Sequence, residues 1–248
     1  MLISVAIIAK DAEKTIASTL ESLKVFEDVV IYDNGSTDNT KSICKEYENV
    51  NYVVGEFSGF GPTKNKAAEF CKHDWILSLD ADEVLTAEFI EELKSIDLKD
   101  ENVYTINRVN YYKKQKITHC WANDIIVRVY NRKKTAFNDL HVHEKVINEG
   151  FNTVGLKSEV NHFPYSTVTD FIIKLDRYST IFAKDNAGKK SSSPLKAILN
   201  AKFSFFKTYI IKRGFLDGYA GLVIAFSHMA TNFYKYIKLY EANKELEK

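Results

Sequence analysis

The chain has 248 residues, 45% hydrophobic and 27% charged, proportions that fit a folded globular protein and exclude wholesale disorder. Its net charge of +1 conceals a division: residues 1–188 carry 23 Lys+Arg against 29 Asp+Glu, whereas residues 189–248 carry 11 against 4. An acidic body with a basic tail points to two kinds of partner, one chelated or phosphorylated and one an anionic surface.

Ile3–Ala9 (ISVAIIA) is a β-branched apolar run, a buried strand by composition and length. Asp11 is placed to cap a helix whose apolar face is Ile16, Leu20 and Leu23. Asp28–Asp33 (DVVIYD) reads as a second strand ended by the turn cluster Asn34-Gly35-Ser36, and a helix is expected over 37–47. A short strand over 51–54, a helix over 63–71 and a strand over 75–79 follow, the last running into Asp80-Ala81-Asp82-Glu83. A helix is then expected from Thr86 to about Ser95. Strands separated by helices predict βαβ units and a mostly parallel sheet, with ligands beyond the strands' carboxyl ends. Residues 103–165 show short β-like stretches at 103–108, 125–130 and 145–147. Residues 185–194 (DNAGKKSSSP) look like a linker, and 195–248 are helical, aromatic and rich in lysine. The expected domains are therefore 1–185 and 186–248, the first divided near residue 100.

Cys44, Cys71 and Cys120 include no CxxC pair, which argues against a disulfide framework or structural zinc and fits a reducing compartment. The run Ile3–Ala9 is short, has no basic flank and is followed by Lys10 and Asp11, so it does not read as a secretory leader and the cytoplasm is expected.

Asp80-Ala81-Asp82 is the sharpest chemical feature. Two carboxylates one residue apart, past a buried strand, can hold a hard divalent cation that also binds phosphates. Three acids within four residues repel one another unless something offsets them, and a metal would do so. Gly59–Asn65 (GFGPTKN) opens a helix and can offer amides and Lys64 to a diphosphate, though it is neither a Walker A nor a dinucleotide loop. Asp33 reads either as a turn residue or as an acceptor for a base or ribose hydroxyl. Asp124 and Glu144 are two acids suited to act as a base, the alternative being that one pairs with Arg128 or Arg132. His141, His143 and His162 are more often structural than ligands. Trp121, Tyr111 and Tyr112 suit either a sugar face or a core.

The segments 3–13 (ISVAIIAKDAE), 29–40 (VVIYDNGSTDNT) and 75–83 (WILSLDADE), in this order, resemble family 2 glycosyltransferases of the GT-A fold. Together with 59–65, 121–131 (WANDIIVRVYN), 142–144 (VHE) and 212–221 (KRGFLDGYAG), they look most like small lipopolysaccharide-core β-1,4-glucosyltransferases. The resemblance implies an α/β GT-A domain, Rossmann-like, with a helical C-terminal extension. It implies inverting transfer, by metal-assisted direct displacement, of a hexose, expected to be glucose, from a UDP-sugar to a core heptose. Asp33 and Ala9 would line the uracil pocket, and Lys64 would meet the diphosphate. Asp80 would touch ribose or metal, and Asp82 would ligate Mg²⁺ or Mn²⁺ with His162 as a third ligand. Glu144 is the first choice of base and Asp124 the second, with Trp121 and Tyr112 at the acceptor. Ala9, Asp11-Ala12-Glu13 and Lys64 are mild departures from the family's usual residues.

Expected partners are the UDP-sugar, a lipid-linked core oligosaccharide and the anionic inner-membrane surface, with no nucleic acid. Residues 218–234 carry no charged side chain apart from His228 but fall short of a spanning helix. Leu195–Arg213 mixes aromatics with lysines as an amphipathic helix on anionic lipid would, giving a peripheral location on the membrane's cytoplasmic face. The alternatives are transfer to another surface glycan (O-antigen, capsule or teichoic acid), a nucleotidyltransferase, or a silent glycan-binding module. The nucleotidyltransferase would want a glycine after the first strand, which Ala9–Ala12 lack.

Overall fold

The structure, a computed structural model, describes residues 2–139 and 144–246. By contacts they form two units: residues up to Val109 with Asn123–Phe163, and Asn110–Ala122 with residues from Pro164 onward.

In the first unit β1 (Ile3–Ala9), β2 (Val29–Asp33), β3 (Val50–Val54) and β4 (Trp75–Asp80) are joined through α1 (Ile16–Ser22), α2 (Thr40–Cys44) and α3 (Phe60–Glu69). They then lead into β5 (Glu83–Leu85), α4 (Ala87–Ser95), β6 (Asn102–Tyr112), β8 (Asp124–Asn131) and β9 (Asn152–Tyr165), while β7 (Gln115–Lys116), between β6 and β8, falls in the second unit. The sheet order is β3-β2-β1-β4-β8-β6-β9-β5, with β7 paired to β6. Strands β3, β2, β1 and β4 are parallel, whereas β8 runs antiparallel to β4 and β6, and β5 antiparallel to β9. The sheet is thus mixed and flanked by helices, parallel only in its N-terminal half.

Alternation along β1 builds a core on both faces, as the two-residue period of a strand requires. Val5, Ile7 and Ala9 pack with Ile16, Leu20 and Leu23 and with Phe89 and Leu93 of α4. Ala6 faces the opposite way, toward Ala67 and Ala68 of α3 and Tyr130 of β8. Thr86 caps α4, its hydroxyl accepting from Phe89 N.

Four sequence expectations change. Asp11 caps no helix: α1 begins at Ile16, and Asp11 sits at φ +51, where its carboxylate accepts from Thr37 N at 2.7 Å. Helix α2 is shorter than expected, starting only at Thr40 after an approach held by the first loop, where Glu13 accepts from Asn39 N. The stretch 145–147 supplies only an isolated bridge, Phe137 to Val146. Strands β5 and β9 were not visible in the pattern, since β9 buries only Leu156 and Val160 along fourteen residues.

The second unit contains α5 (Val168–Asn186), α6 (Pro194–Phe206), a π-helical turn (Lys207–Ile211), a 3₁₀ turn (Gly214–Asp217) and α7 (Gly218–Leu246). Its core gathers Tyr112, Ile117, Cys120, Phe171, Ala220 and Ile224. The supposed linker is anchored: Gly188 N donates to Asn243 Oδ1 at 2.9 Å, and Ser192 Oγ to Tyr236 O at 2.6 Å. Lys212–Gly221 is a corner. A Cβ on Gly221 would lie 1.8 Å from the Gly214 carbonyl oxygen, and Gly218 takes φ +58. Buried Asp217 accepts from the amides of Thr118 and Cys120 at 2.9 and 2.8 Å. The three cysteines are unpaired and buried, and burial pushes each thiol up to about 12. Among the described residues no helix is long and apolar enough to cross a membrane.

Candidate functional site

The parallel strands bring their carboxyl ends together. Register pairs Ala9 with Asp33 and Ile8 with Asp80, so the polar residues after β1, β2 and β4 share one sheet edge. The loops after β1 and β2 are tied to each other: Asp11 N donates to Ser36 Oγ, Ala12 N to Thr40 Oγ1 and Glu13 N to Asp38 Oδ2. Asp33 is buried, and its Oδ1 accepts from Gly35 N and Ser36 N at 2.8 and 2.7 Å. Its Oδ2 is buried with no hydrogen-bond partner among the described residues. Burial, and then hydrogen bonding to the Asp33 carboxylate, raises the nearby Tyr52 phenol above its ordinary pKa, so this phenol is the neighbour that a ligand at Oδ2 would meet. A buried acceptor without a donor is costly and suits a ligand N–H.

At the end of β4 the acids are offset by cations of the chain itself. Asp80 Oδ1 accepts from Lys64 Nζ at 2.8 Å, and Oδ2 from Arg128 Nη2 at 2.7 Å and Arg108 Nη1 at 3.3 Å. Glu83, fully buried, meets Arg108 Nη1 at 2.9 Å and accepts from Asp80 N. Burial alone would raise the Asp80 pKa, but Arg128, Lys64 and Arg108 outweigh it and hold the carboxyl well below the usual range. Burial would likewise discharge Arg108, and Glu83, Asp80 and Asp124 raise its pKa instead.

Both proposed bases belong to this network. Glu144 Oε1 accepts from Lys64 Nζ at 2.9 Å, so one buried ammonium joins Asp80 and Glu144. Asp124 lies opposite Arg108 in the β6–β8 register and accepts from its Nε at 2.8 Å. Glu144 also bears on Arg128, whose charge it favours, and Arg132 pairs with Asp74.

Asp82, in the turn after β4, meets β9. Its Oδ1 is 3.4 Å from His162 Nε2, a residue that β9 brings alongside β5 by pairing His162 with Glu83. Thr19 of α1 donates to the Ala81 carbonyl and steadies the turn between the two aspartates. Among the described residues no three His, Cys, Asp or Glu side chains surround a common metal position. Both Asp80 oxygens are engaged by cations of the chain, and Asp82 and His162 face each other as one oxygen and one nitrogen group. Of these two groups the carboxylate is the kind that shares a hard cation with substrate phosphates, since Mg²⁺ takes oxygen ligands. His141 and His143 lie outside the described residues.

The acceptor residues are placed differently from expectation. Tyr112 is 2% exposed and packs on Phe171, which removes its ring from contact with a sugar. Trp121 stacks on Tyr165 and Phe171, and its Nε1 donates to His228 Nε2 at 3.3 Å, making it part of the second unit's core.

The sequence pattern assigns no role to Arg108 or Glu83, and Arg128 reads there only as a partner for Asp124 or Glu144. A signal was present: Arg128 interrupts Ile-Ile-Val-Arg-Val-Tyr, and a cation inside an apolar strand requires a buried anion.

The pattern that defines "Glycosyl transferase family 2" matches residues 4–158. An uncharacterised glycosyltransferase of Rickettsia typhi is 29% identical, spanning 96% of this chain and 87% of its own length. The lipopolysaccharide core biosynthesis glycosyltransferase LpsC of Rhizobium meliloti is 24% identical, spanning 90% of this chain and 89% of its own. Among solved structures, S. aureus TarS 1–349 in complex with UDP gives a TM-score of 0.45 at 16% identity, covering all of this chain and 91% of that one.

Proposed function

The chain belongs to glycosyl transferase family 2 and is a glycosyltransferase, and we propose that it transfers a hexose, with inversion, from a UDP-sugar to a sugar of lipopolysaccharide core. The buried, donorless Oδ2 of Asp33 carries the donor reading. Uracil presents an N–H that this oxygen can accept, and Ala9 is its register neighbour on the same edge. Lys64 is within the reach of an ammonium from both Asp80 and Glu144, a position suited to a diphosphate arriving at the strand ends. Asp80 would touch the ribose or the metal, while Asp82 and His162 would hold Mg²⁺ or Mn²⁺. Bound there, the cation would supply charge stabilisation for the leaving diphosphate.

In this reading Glu144 takes the proton of the acceptor hydroxyl as that oxygen attacks the anomeric carbon, and UDP departs from the opposite face. Asp124 holds Arg108 across β6 and β8. Glucose as the sugar and heptose as the acceptor rest on the motif resemblance, and the core pathway is supported by likeness to LpsC. A lipid-linked acceptor would place the enzyme peripherally on the cytoplasmic face of the inner membrane.

Calorimetry with UDP, CDP and GDP, each with and without Mn²⁺, tests the donor site. UDP should bind best. Asp33→Asn puts an amide donor where Oδ2 stands, because Oδ1 is held by two amides, and should weaken UDP binding about 100-fold. Asp82→Ala should abolish the Mn²⁺-dependent part while leaving metal-free UDP binding. Equal binding of all three nucleotides by wild type would overturn the uridine reading.

A further inference from the structure

Helix α6 turns its small residues inward and its large ones outward. Ala197 and Ala201 are buried, whereas Leu195, Leu199, Phe203 and Phe206 are 66, 57, 59 and 51% exposed. On a 3.6-residue period these four side chains lie on the face away from the two alanines. The apolar run continues beyond the helix to Ile211 and Leu216, 58 and 54% exposed. A helix that only packed on its neighbours would bury such residues, and a surface of this kind marks an interaction site.

Charge identifies the partner. Between residues 186 and 240 the sequence has nine Lys+Arg and one acid, Asp217. That acid is 2% exposed and spends its carboxylate on the amides of residues 118–120. The stretch therefore shows solvent no carboxylate, while Lys196, Lys202, Lys207, Lys212 and Arg213 are exposed among the apolar side chains. Two copies of such a face would repel each other, which disfavours a self-complementary dimer. No described helix is long and apolar enough to cross a membrane, so contact with lipid would be at its surface.

We infer that the outer face of α6 and the turns after it dock on an anionic lipid bilayer. The aromatic and aliphatic side chains enter the acyl boundary, and the lysines meet headgroup phosphates. The inference extends the proposed use of a lipid-linked acceptor, but its evidence lies wholly in the second unit. Cosedimentation of the full chain with phosphatidylcholine vesicles, with and without phosphatidylglycerol, tests it. Wild type should bind the mixed vesicles and be released by salt. The double variant Phe203→Ser/Phe206→Ser should bind at least about tenfold less. Lys207→Glu/Lys212→Glu should lose the preference for phosphatidylglycerol.

Unfolding temperatures near wild type would show that these exposed substitutions leave the fold intact. UDP calorimetry on the same samples reports the donor site separately, so failure of either reading is visible by itself. Equal vesicle binding by wild type and the phenylalanine double variant would overturn the inference. So would a wild-type dimer that this variant dissolves, without vesicle binding, and that result would assign the face to a second copy of the chain.

Discussion

Lys64 is one ammonium shared by two carboxylates, Asp80 and Glu144, and it is 3% exposed. Such a group is retained in a buried position only while its anions surround it, since an unpaired buried charge is strongly unfavourable. The arrangement differs from the metal-balanced aspartates expected from the sequence: Lys64, Arg108 and Arg128 counter the repulsion around Asp80. The assignment of the base follows at this scale. Glu144→Gln should bind UDP like wild type and lose transfer by about 100- to 10,000-fold. Asp124→Asn should retain more activity and lower the unfolding temperature by loosening Arg108. Single-turnover transfer rates beside calorimetry separate the two acids, and the reverse pattern would make Asp124 the base.

At the scale of elements, the central strands were plain in the sequence because their side chains are buried on both faces. Ile3–Ala9 and the run ending at Asp33 could hardly be anything else. Strand β9 was hidden because it alternates weakly and contains Gly155 and Pro164. With it went the physical reason for His162 standing beside Asp82, which is strand pairing and not sequence proximity. Trp121 and Tyr112 show the opposite difficulty: an aromatic ring looks the same in a sequence whether it meets a sugar or a core.

Helix α7 makes the core role of Trp121 testable through His228. Its Nε2 accepts from Trp121, which leaves Nδ1 to donate to Thr208 Oγ1 at 3.0 Å. Burial, with Lys212 and Lys235 nearby, pushes His228 down to about 4. The unfolded chain takes up its proton near the ordinary histidine value, so this contribution is complete above about pH 6.5 and is lost as pH falls toward 4. Its size is up to about 3 kcal/mol. His228→Gln should therefore flatten the fall in unfolding temperature over that interval, as read by thermal denaturation.

Over the whole molecule, the near-neutral charge resolves into two patterns that a single sum hides. Four acids of the first unit, Asp80, Glu83, Asp124 and Glu144, pair with the interior cations Lys64, Arg108 and Arg128, and beside them Asp33 Oδ2 is a buried acceptor without a donor in hydrogen-bond geometry among the described residues. The C-terminal stretch 186–240 presents its basic excess to solvent without a carboxylate, since its one acid, Asp217, is buried. Composition revealed the division of charge. It could not reveal which charges were cancelled locally, because Arg108 and Asp124, sixteen residues apart in sequence, meet only through antiparallel pairing.

The second unit is made from two stretches of chain separated by more than forty residues. During synthesis Tyr112, Ile117 and Cys120 emerge long before Asp217, Ala220 and Ile224 exist to cover them; the clamp between Cys120 and Asp217 spans 97 positions. Closing so long a loop late leaves an apolar surface waiting, a recognised route to aggregation. A chain ended after Asp185 should therefore not yield a self-sufficient catalytic body. It should sediment as aggregate on expression, and supplying residues 186–248 as a separate polypeptide during refolding should recover soluble protein.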